Sequence, residues 1–140
     1  MFKLILVGLD GSAGSKRALG VAIGLAVEQG AELRAVSVEE RLPHYAAMVD
    51  EVEEAKRQAN EYFQRVQREA YDHAKQAGIE LQVATLAGHA AQRIMEYATA
   101  EQADLLVLGH SGHSSVWGQF MGTTADKLVR HAPCSVLIVR

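Results

Sequence analysis

Short apolar runs alternate with helical patterns along the whole chain, and this alternation constrains the fold more than any other feature. Several of the runs, such as Leu4–Val7 and Leu105–Leu108, carry no polar residue, which is typical of strands buried on both faces. Such strands belong to parallel sheets that are covered by helices, so the sequence predicts an α/β fold with a doubly wound parallel sheet. The five predicted strands are Leu4–Val7, Leu33–Val38, Ile79–Leu86, Leu105–Leu108 and Val136–Val139.

Four helices are predicted between these strands, because apolar residues recur there at spacings of three and four. Gly30 and Gly78 each follow a helical pattern and are predicted to end it. The sequence contains no repeat and no Pro- or Ser-rich linker, so we expect one domain over residues 1–140. The predicted helices are a first one around Ala18–Ala26, a long one at Met48–Ala77, a third at Ala90–Gln102 and a short last one at Thr123–His131.

Composition narrows the possible partners and compartment. Lys and Arg number 14 against 17 Asp and Glu, and this balance argues against a nucleic-acid partner. No apolar run approaches the ~18 residues that a membrane span needs, so no membrane association is expected. The first residues fit a strand better than a signal peptide. The only cysteine, Cys134, cannot form an internal disulfide and suits a reducing compartment, so we expect a cytoplasmic protein.

A spaced glycine pattern follows the fourth predicted strand. Gly109 and Gly112 are followed, after nine residues, by Gly122 and Thr123. Backbone amides of glycines can approach a phosphate closely because no Cβ intervenes. Thr123 stands where the last helix is predicted to begin, so its hydroxyl would either cap that helix or face an anion. The chain lacks the GxxxxGK[ST] motif, so no P-loop lysine is available for a triphosphate.

Glycines also follow the first predicted strand, at Gly8 and Gly11. In doubly wound sheets, ligands bind outside the carboxyl ends of the strands, near the point where the strand order reverses. The two glycine clusters therefore place a candidate ligand crevice at the ends of the first and fourth strands.

Three segments together resemble the universal stress protein family. They are the G-x2-G-x9-G-[ST] pattern that starts at Gly109, the first-strand ending Val7–Ser12 with Ser15, and the closing stretch Arg130–Val139. The similarity extends over essentially the whole chain, including the order of elements. It implies a Rossmann-like fold related to the adenine nucleotide alpha hydrolases, and it implies the ATP-binding branch of the family.

The resemblance also implies which residues contact the nucleotide. Asp10 would lie beside the adenosine, Val38 would contact adenine, and Leu108 would lie near the sugar or base. Contacts to ribose and phosphates would come from Gly109, Ser111, Gly112, Gly122, Thr123 and Thr124. Mg²⁺ is a possible companion of ATP, and Asp10, Ser111 and Thr124 have oxygen atoms of the type that suits it.

Structural roles remain open for the same residues. The glycines would then serve only as turns, and Asp10 as a turn or cap residue without a ligand. His110 and His113 have no third ligand at a recognisable spacing, and no catalytic or metal-binding residue is assigned. Hydrolysis of ATP would need a positioned water and charge stabilisation that no residue here identifies.

Three hypotheses for function follow. The first is an ATP-binding stress-response regulator in the cytoplasm, in which the nucleotide acts as a switch. The second is a slow ATPase, and the third is a nucleotide-free interaction module. In each case we expect a homodimer, because Val136–Val139 at a sheet edge would leave an unpaired strand that a second copy can cover.

Overall fold

The computed structural model of the chain describes residues 1–39, 49–110 and 116–140, and for residues 49, 50, 52 and 116–123 it describes the backbone alone. Strands and helices alternate, as the sequence predicts, and the predicted α/β fold is confirmed. The elements are β1 (Leu4–Gly8), α1 (Ala13–Gln29), β2 (Glu32–Glu39), α2 (Val49–Gln76), β3 (Leu81–Ala87), α3 (Ala90–Ala100), β4 (Leu105–Gly109), α4 (Val116–His131) and β5 (Ser135–Val139).

The five strands form one sheet in the order β3-β2-β1-β4-β5, and every neighbouring pair is parallel. The chain proceeds outward from β1 through β2 to β3, and then crosses to β4 on the other side of β1. The strand order therefore reverses between β1 and β4. A doubly wound sheet of this kind opens a crevice at that point, outside the carboxyl ends of the strands.

Each face of the sheet has its own apolar core. Ile5 and Val7 of β1 pack with α1 and α2, whereas Leu6 of β1 and Leu108 of β4 pack with α3 and α4. These four side chains have no exposed surface. Burial of such a side chain contributes about 1.5–3 kcal/mol, which explains why the central strands carry apolar residues at every position.

Asp104 fixes the start of β1 next to the start of β4. Its two carboxylate oxygens accept hydrogen bonds from the backbone amides of Lys3 at 2.7 Å and Leu4 at 3.0 Å. The register that follows places Leu6 opposite Leu106, so β1 is paired to a strand that lies about 100 residues later in the chain.

The predicted ends of the first two helices are confirmed. Gly30 has a φ of 64°, and its amide donates to the carbonyl of Ala26, which closes α1 in the left-handed conformation that favours glycine. Gly78 has a φ of +75° and is the second residue after Gln76, the last residue of α2. Both signals are local, and each needs only the glycine and the helix that precedes it.

The predicted start of the last helix is wrong. Helix α4 begins at Val116 rather than at Thr123, so Gly122 and Thr123 lie inside it. Val116, Trp117, Phe120 and Met121 have helical spacing, and a single interior glycine costs only about 1 kcal/mol relative to alanine. The two interior glycines, Gly118 and Gly122, therefore do not end the helix. Thr123 lies inside the helix and cannot serve as its N-cap.

Helix α2 is longer than the sheet that it covers. Its 28 residues span about 42 Å at 1.5 Å per residue, whereas the eight residues of β2 span about 26 Å. Among its described side chains, those of Phe63, Ala70 and Ala74 are buried, and all three lie in the second half of the helix. No helix within the described ranges is long and apolar enough to cross a membrane.

Candidate functional site

The turn between β1 and α1 forms the floor of the crevice. The side chain of Ser12 caps α1 by accepting a hydrogen bond from the amide of Ser15 at 3.1 Å. The Asp10 Oδ1 atom accepts from the amide of Ser12 at 2.9 Å, and the Asp10 amide donates to Ser15 Oγ at 3.4 Å. These contacts fix Asp10 at the carboxyl end of the central strand, directly before a helix N-terminus.

Helix α2 packs against the turn between β1 and α1 and forms a hydrogen bond with it. The hydroxyl of Tyr62 donates a hydrogen bond to the carbonyl of Asp10. Gly11 has a φ of +82°, and a Cβ atom there would lie 2.7 Å from Tyr62 Cζ and 2.8 Å from Val66 Cγ2. Glycine is therefore required at this position both by its backbone angle and by the ring beside it.

The Asp10 carboxylate has one oxygen without a partner. Asp10 Oδ2 is buried, and no group in residues 1–39, 49–110 and 116–140 forms a hydrogen bond with it. A buried oxygen without a partner costs about 1–3 kcal/mol, and more when it is charged. Burial, together with the negative charge of Asp10, raises the pKa of Tyr62, which keeps its hydroxyl protonated as a donor.

A second buried oxygen without a partner lies on the neighbouring strand. Ser37, at the carboxyl end of β2, has no exposed surface, and its Oγ has no hydrogen-bond partner among the described residues. The amide of Leu9 donates to the carbonyl of Val36 at 2.9 Å, which places the ends of β1 and β2 side by side. The two unpaired oxygens thus belong to adjacent strand ends at the same edge of the sheet.

Two of the predicted apolar contact residues occupy different environments. Val38 is half-buried near the end of β2 and packs against the α3/α4 core. Leu108 has no exposed surface, because the same core covers its side chain completely. Val38 is therefore partly exposed near the end of β2, whereas the side chain of Leu108 is fully covered.

Gly109 brings β4 into close contact with α1. A Cβ atom at this position would lie 2.8 Å from the amide nitrogen of Ser15. A Cβ atom at Gly14 would in turn lie 2.8 Å from the carbonyl oxygen of His110. The glycine at the end of β4 thus has a packing role that its place in the spaced pattern does not reveal.

The remaining predicted phosphate ligands are only partly described. Ser111 and Gly112 lie outside the described residues. Gly122 and Thr123 are interior residues of α4, where backbone amides bond to carbonyls four residues earlier. Thr124 is buried, with 4% of its surface exposed.

Four of the predicted site residues come together at the carboxyl ends of adjacent strands. They are Asp10, Val38, Leu108 and Gly109.

Helical spacing within the predicted helix Met48–Ala77 places Tyr62 on its apolar face, but this spacing does not predict the contact with Asp10. No local signal could have found it, because the two residues are 52 positions apart. Ser37 was also missed, although a serine inside an otherwise apolar strand is a visible irregularity.

The parallel sheet, whose strand order reverses between β1 and β4, places this chain in the class of open doubly wound α/β proteins, and proteins of this class typically bind ligands outside the carboxyl ends of their strands. Comparison with known proteins then identifies the family. The model of the universal stress protein family matches residues 1–140, and the chain belongs to that family.

Individual relatives agree with this assignment. A universal stress protein of Thermus aquaticus is 38% identical, with 100% of both chains covered. The structure of the protein UspA of Lactobacillus plantarum has a TM-score of 0.85 and 26% identity, covering 99% of this chain and 98% of that one. A universal stress protein solved in complex with cAMP has a TM-score of 0.73 and 27% identity, covering 99% of this chain and 97% of that one.

Proposed function

We propose that this chain, as a single domain, binds an adenine nucleotide at the carboxyl ends of β1, β2 and β4. We further propose ATP as its main ligand, and a cytoplasmic role as a nucleotide-dependent regulator of the stress response rather than as an enzyme. The observation that carries the proposal is the buried Oδ2 atom of Asp10 at the switch point, which has no hydrogen-bond partner within residues 1–39, 49–110 and 116–140.

An adenosine group supplies what this oxygen lacks. Ribose hydroxyls and the exocyclic amine of adenine are hydrogen-bond donors, and either can satisfy the carboxylate oxygen that has no partner in the described part of the chain. The half-buried Val38 offers an apolar surface to the base at the neighbouring strand end. The relative that was solved with cAMP supports an adenine nucleotide in particular.

The phosphate part of the ligand needs a further step. Contacts from the amides of Gly122 and Thr123 would require the first turns of α4 to open, since these amides are interior to the helix. A nucleoside monophosphate has a shorter phosphate group than ATP, so its binding would require less opening of α4. Mg²⁺ would come with a triphosphate, since this ion usually takes one or two carboxylates together with phosphate oxygens.

Replacement of Asp10 by asparagine tests the site. Asp10→Asn keeps the side-chain shape but removes the charge, and a hydrogen bond to a charged group contributes about 1.5–3 kcal/mol. We expect calorimetry to show AMP and ATP binding weakened about 10- to 150-fold. Asp72→Asn is the matched control, because Asp72 is exposed on α2 and should leave affinity unchanged. Equal affinities for Asp10→Asn and the unsubstituted protein would refute the proposed site.

Two further measurements separate the alternative functions. Mass spectrometry of ligand released from the purified protein should detect an adenine nucleotide. Phosphate release over many turnovers would instead indicate a slow ATPase. If ATP, ADP and AMP all fail to raise the melting temperature, the chain is a nucleotide-free interaction module.

We also propose that two copies associate through β5. This strand lies at one edge of the sheet and is partly exposed over Val136–Val139. An unpaired edge of this kind is usually covered, and a second copy can cover it with two-fold symmetry.

A further inference from the structure

Tyr62 connects the long helix to the nucleotide site proposed above. It lies on α2, and its hydroxyl donates to the carbonyl of Asp10 on the turn after β1. The ring is half-buried and packs edge-to-face against Phe63, with ring centroids 5.5 Å apart and an interplanar angle of 79°. Phe63 is itself buried, with 3% of its surface exposed, so the tyrosine is anchored on the core.

Gly11 makes this approach possible. The tyrosine ring occupies the space in which any other residue would place its Cβ, 2.7 Å from Cζ. The positive φ of Gly11 also turns the peptide between Asp10 and Gly11 so that its carbonyl meets the hydroxyl. Ring and glycine therefore form one matched contact between two elements that are distant in sequence.

The contact leaves Asp10 with a single free polar position. Its amide is bonded to Ser15 Oγ, its carbonyl to the Tyr62 hydroxyl and its Oδ1 to the amide of Ser12. Only Oδ2 lacks a partner among the described residues. The protein thus fixes every other polar atom of the residue and presents one oxygen in a defined direction.

We propose that Tyr62 is a positioning residue for nucleotide recognition, which holds the Asp10–Gly11 peptide so that Asp10 Oδ2 stays directed at the ligand. The inference rests on the proposed function. It also implies that α2 responds to ligand occupancy, because the Tyr62 hydroxyl connects this helix to the Asp10 carbonyl.

The test is the variant Tyr62→Phe, which keeps the ring over Gly11 and removes only the hydroxyl. A hydrogen bond between neutral groups contributes modestly, so we expect the affinity for AMP to fall about 2- to 12-fold by calorimetry. Tyr71→Phe is the matched control, since Tyr71 lies on the same helix and is 44% exposed. It should bind AMP like the unsubstituted protein.

A double-mutant cycle separates positioning from general stability. If Tyr62 acts through Asp10, removing the hydroxyl in an Asp10→Asn background should cost little or nothing further. Equal losses of affinity in both backgrounds would mean that Tyr62 contributes to binding independently of Asp10, and would overturn the inference.

A measurement on the unsubstituted protein covers the case in which Tyr62→Phe fails to fold. With ¹³Cζ-labelled tyrosine, addition of AMP should shift the NMR signal of Tyr62 and leave that of Tyr71 in place. AMP binding without a shift of the Tyr62 signal, or undiminished binding by Tyr62→Phe, overturns this inference but leaves the proposed function intact. Failure of the unsubstituted protein to bind any adenine nucleotide overturns both.

Discussion

Two glycines next to strand ends show how one residue type serves different physical needs. Gly11 adopts a left-handed conformation and makes room for the Tyr62 ring. Gly109 has no such backbone requirement in the structure, yet the backbone of α1 lies too close for a Cβ. Packing alone requires glycine at both positions, so a glycine pattern indicates a ligand only together with a polar group such as Asp10, whose Oδ2 atom has no partner among the described residues.

Replacing Gly109 by alanine should destabilise the fold. The added Cβ would lie 2.8 Å from the Ser15 amide, so α1 or β4 must shift, and overpacking of this kind costs about 1–3 kcal/mol. Urea denaturation measures the loss. Gly24→Ala is the control, because nothing lies within 4 Å of its added Cβ inside α1, and this change should instead stabilise by about 0.5–1 kcal/mol. A Gly109→Ala protein as stable as the unsubstituted one would contradict the close contact.

The role of a residue could be predicted from the sequence where it depends on neighbouring residues, but not where it depends on a partner distant in sequence. Gly30 and Gly78 end helices because of the residues directly before them, and both were predicted. The Tyr62 hydroxyl meets a carbonyl 52 residues away, and helical spacing alone assigns that tyrosine only to an apolar face. Position in the pattern shows which face a side chain lies on, but not which atom it reaches.

Among the elements, the central strands were the easiest to predict and the start of α4 the hardest. Strands β1 and β4 are buried on both faces, and such strands are apolar at every position. Where α4 begins depends on whether the helix propensity of its residues outweighs the cost of the glycines at 118 and 122. The free-energy difference between the two possible starts is small, and the sequence predicted a start at Thr123, seven residues beyond the observed one.

Edge strand β5 provides a prediction about assembly. The Val139 carbonyl accepts from the His110 amide at 2.7 Å, and successive backbone groups alternate in direction, so the Ile138 amide points to the outer edge. Ile138→Pro therefore removes an outward donor and spares the pairing with β4. We expect light scattering to show a monomer that retains its circular dichroism spectrum, whereas Leu137→Pro should unfold. A folded Ile138→Pro dimer would refute assembly through this edge.

At the scale of the whole molecule, helix α2 divides into a packed half and an overhanging half. In the described part of 51–60, side chains are exposed or only partly buried, whereas Phe63, Ala70 and Ala74 are buried. The helix runs opposite to the parallel strands that flank it, so its overhanging half lies toward their carboxyl ends. That half adjoins the proposed nucleotide site, and Tyr62 marks where it meets the body of the protein.

Hydrogen exchange should reveal this division. Stretches with few buried apolar contacts open locally at low free energy, so amides in 51–60 should exchange much faster than those in 66–76. Mass spectrometry of peptides from the two halves measures the difference. Equal protection along the helix would contradict the overhang, and added AMP should slow exchange around Tyr62 if the helix responds to the ligand.

The pairing of β1 with β4, fixed by Asp104, has a consequence for how the chain is made. The ribosome synthesises β1 before β4, and β4, the strand that pairs with the second edge of β1, emerges about 100 residues later. At a translation rate of about 5–20 residues per second, β1 remains unpaired along this edge for about 5–20 s. During that time its apolar side chains and one row of its amides and carbonyls are uncovered. The nascent chain is therefore most vulnerable to aggregation during its own translation, and chaperones that bind extended apolar segments should act on it before β4 appears.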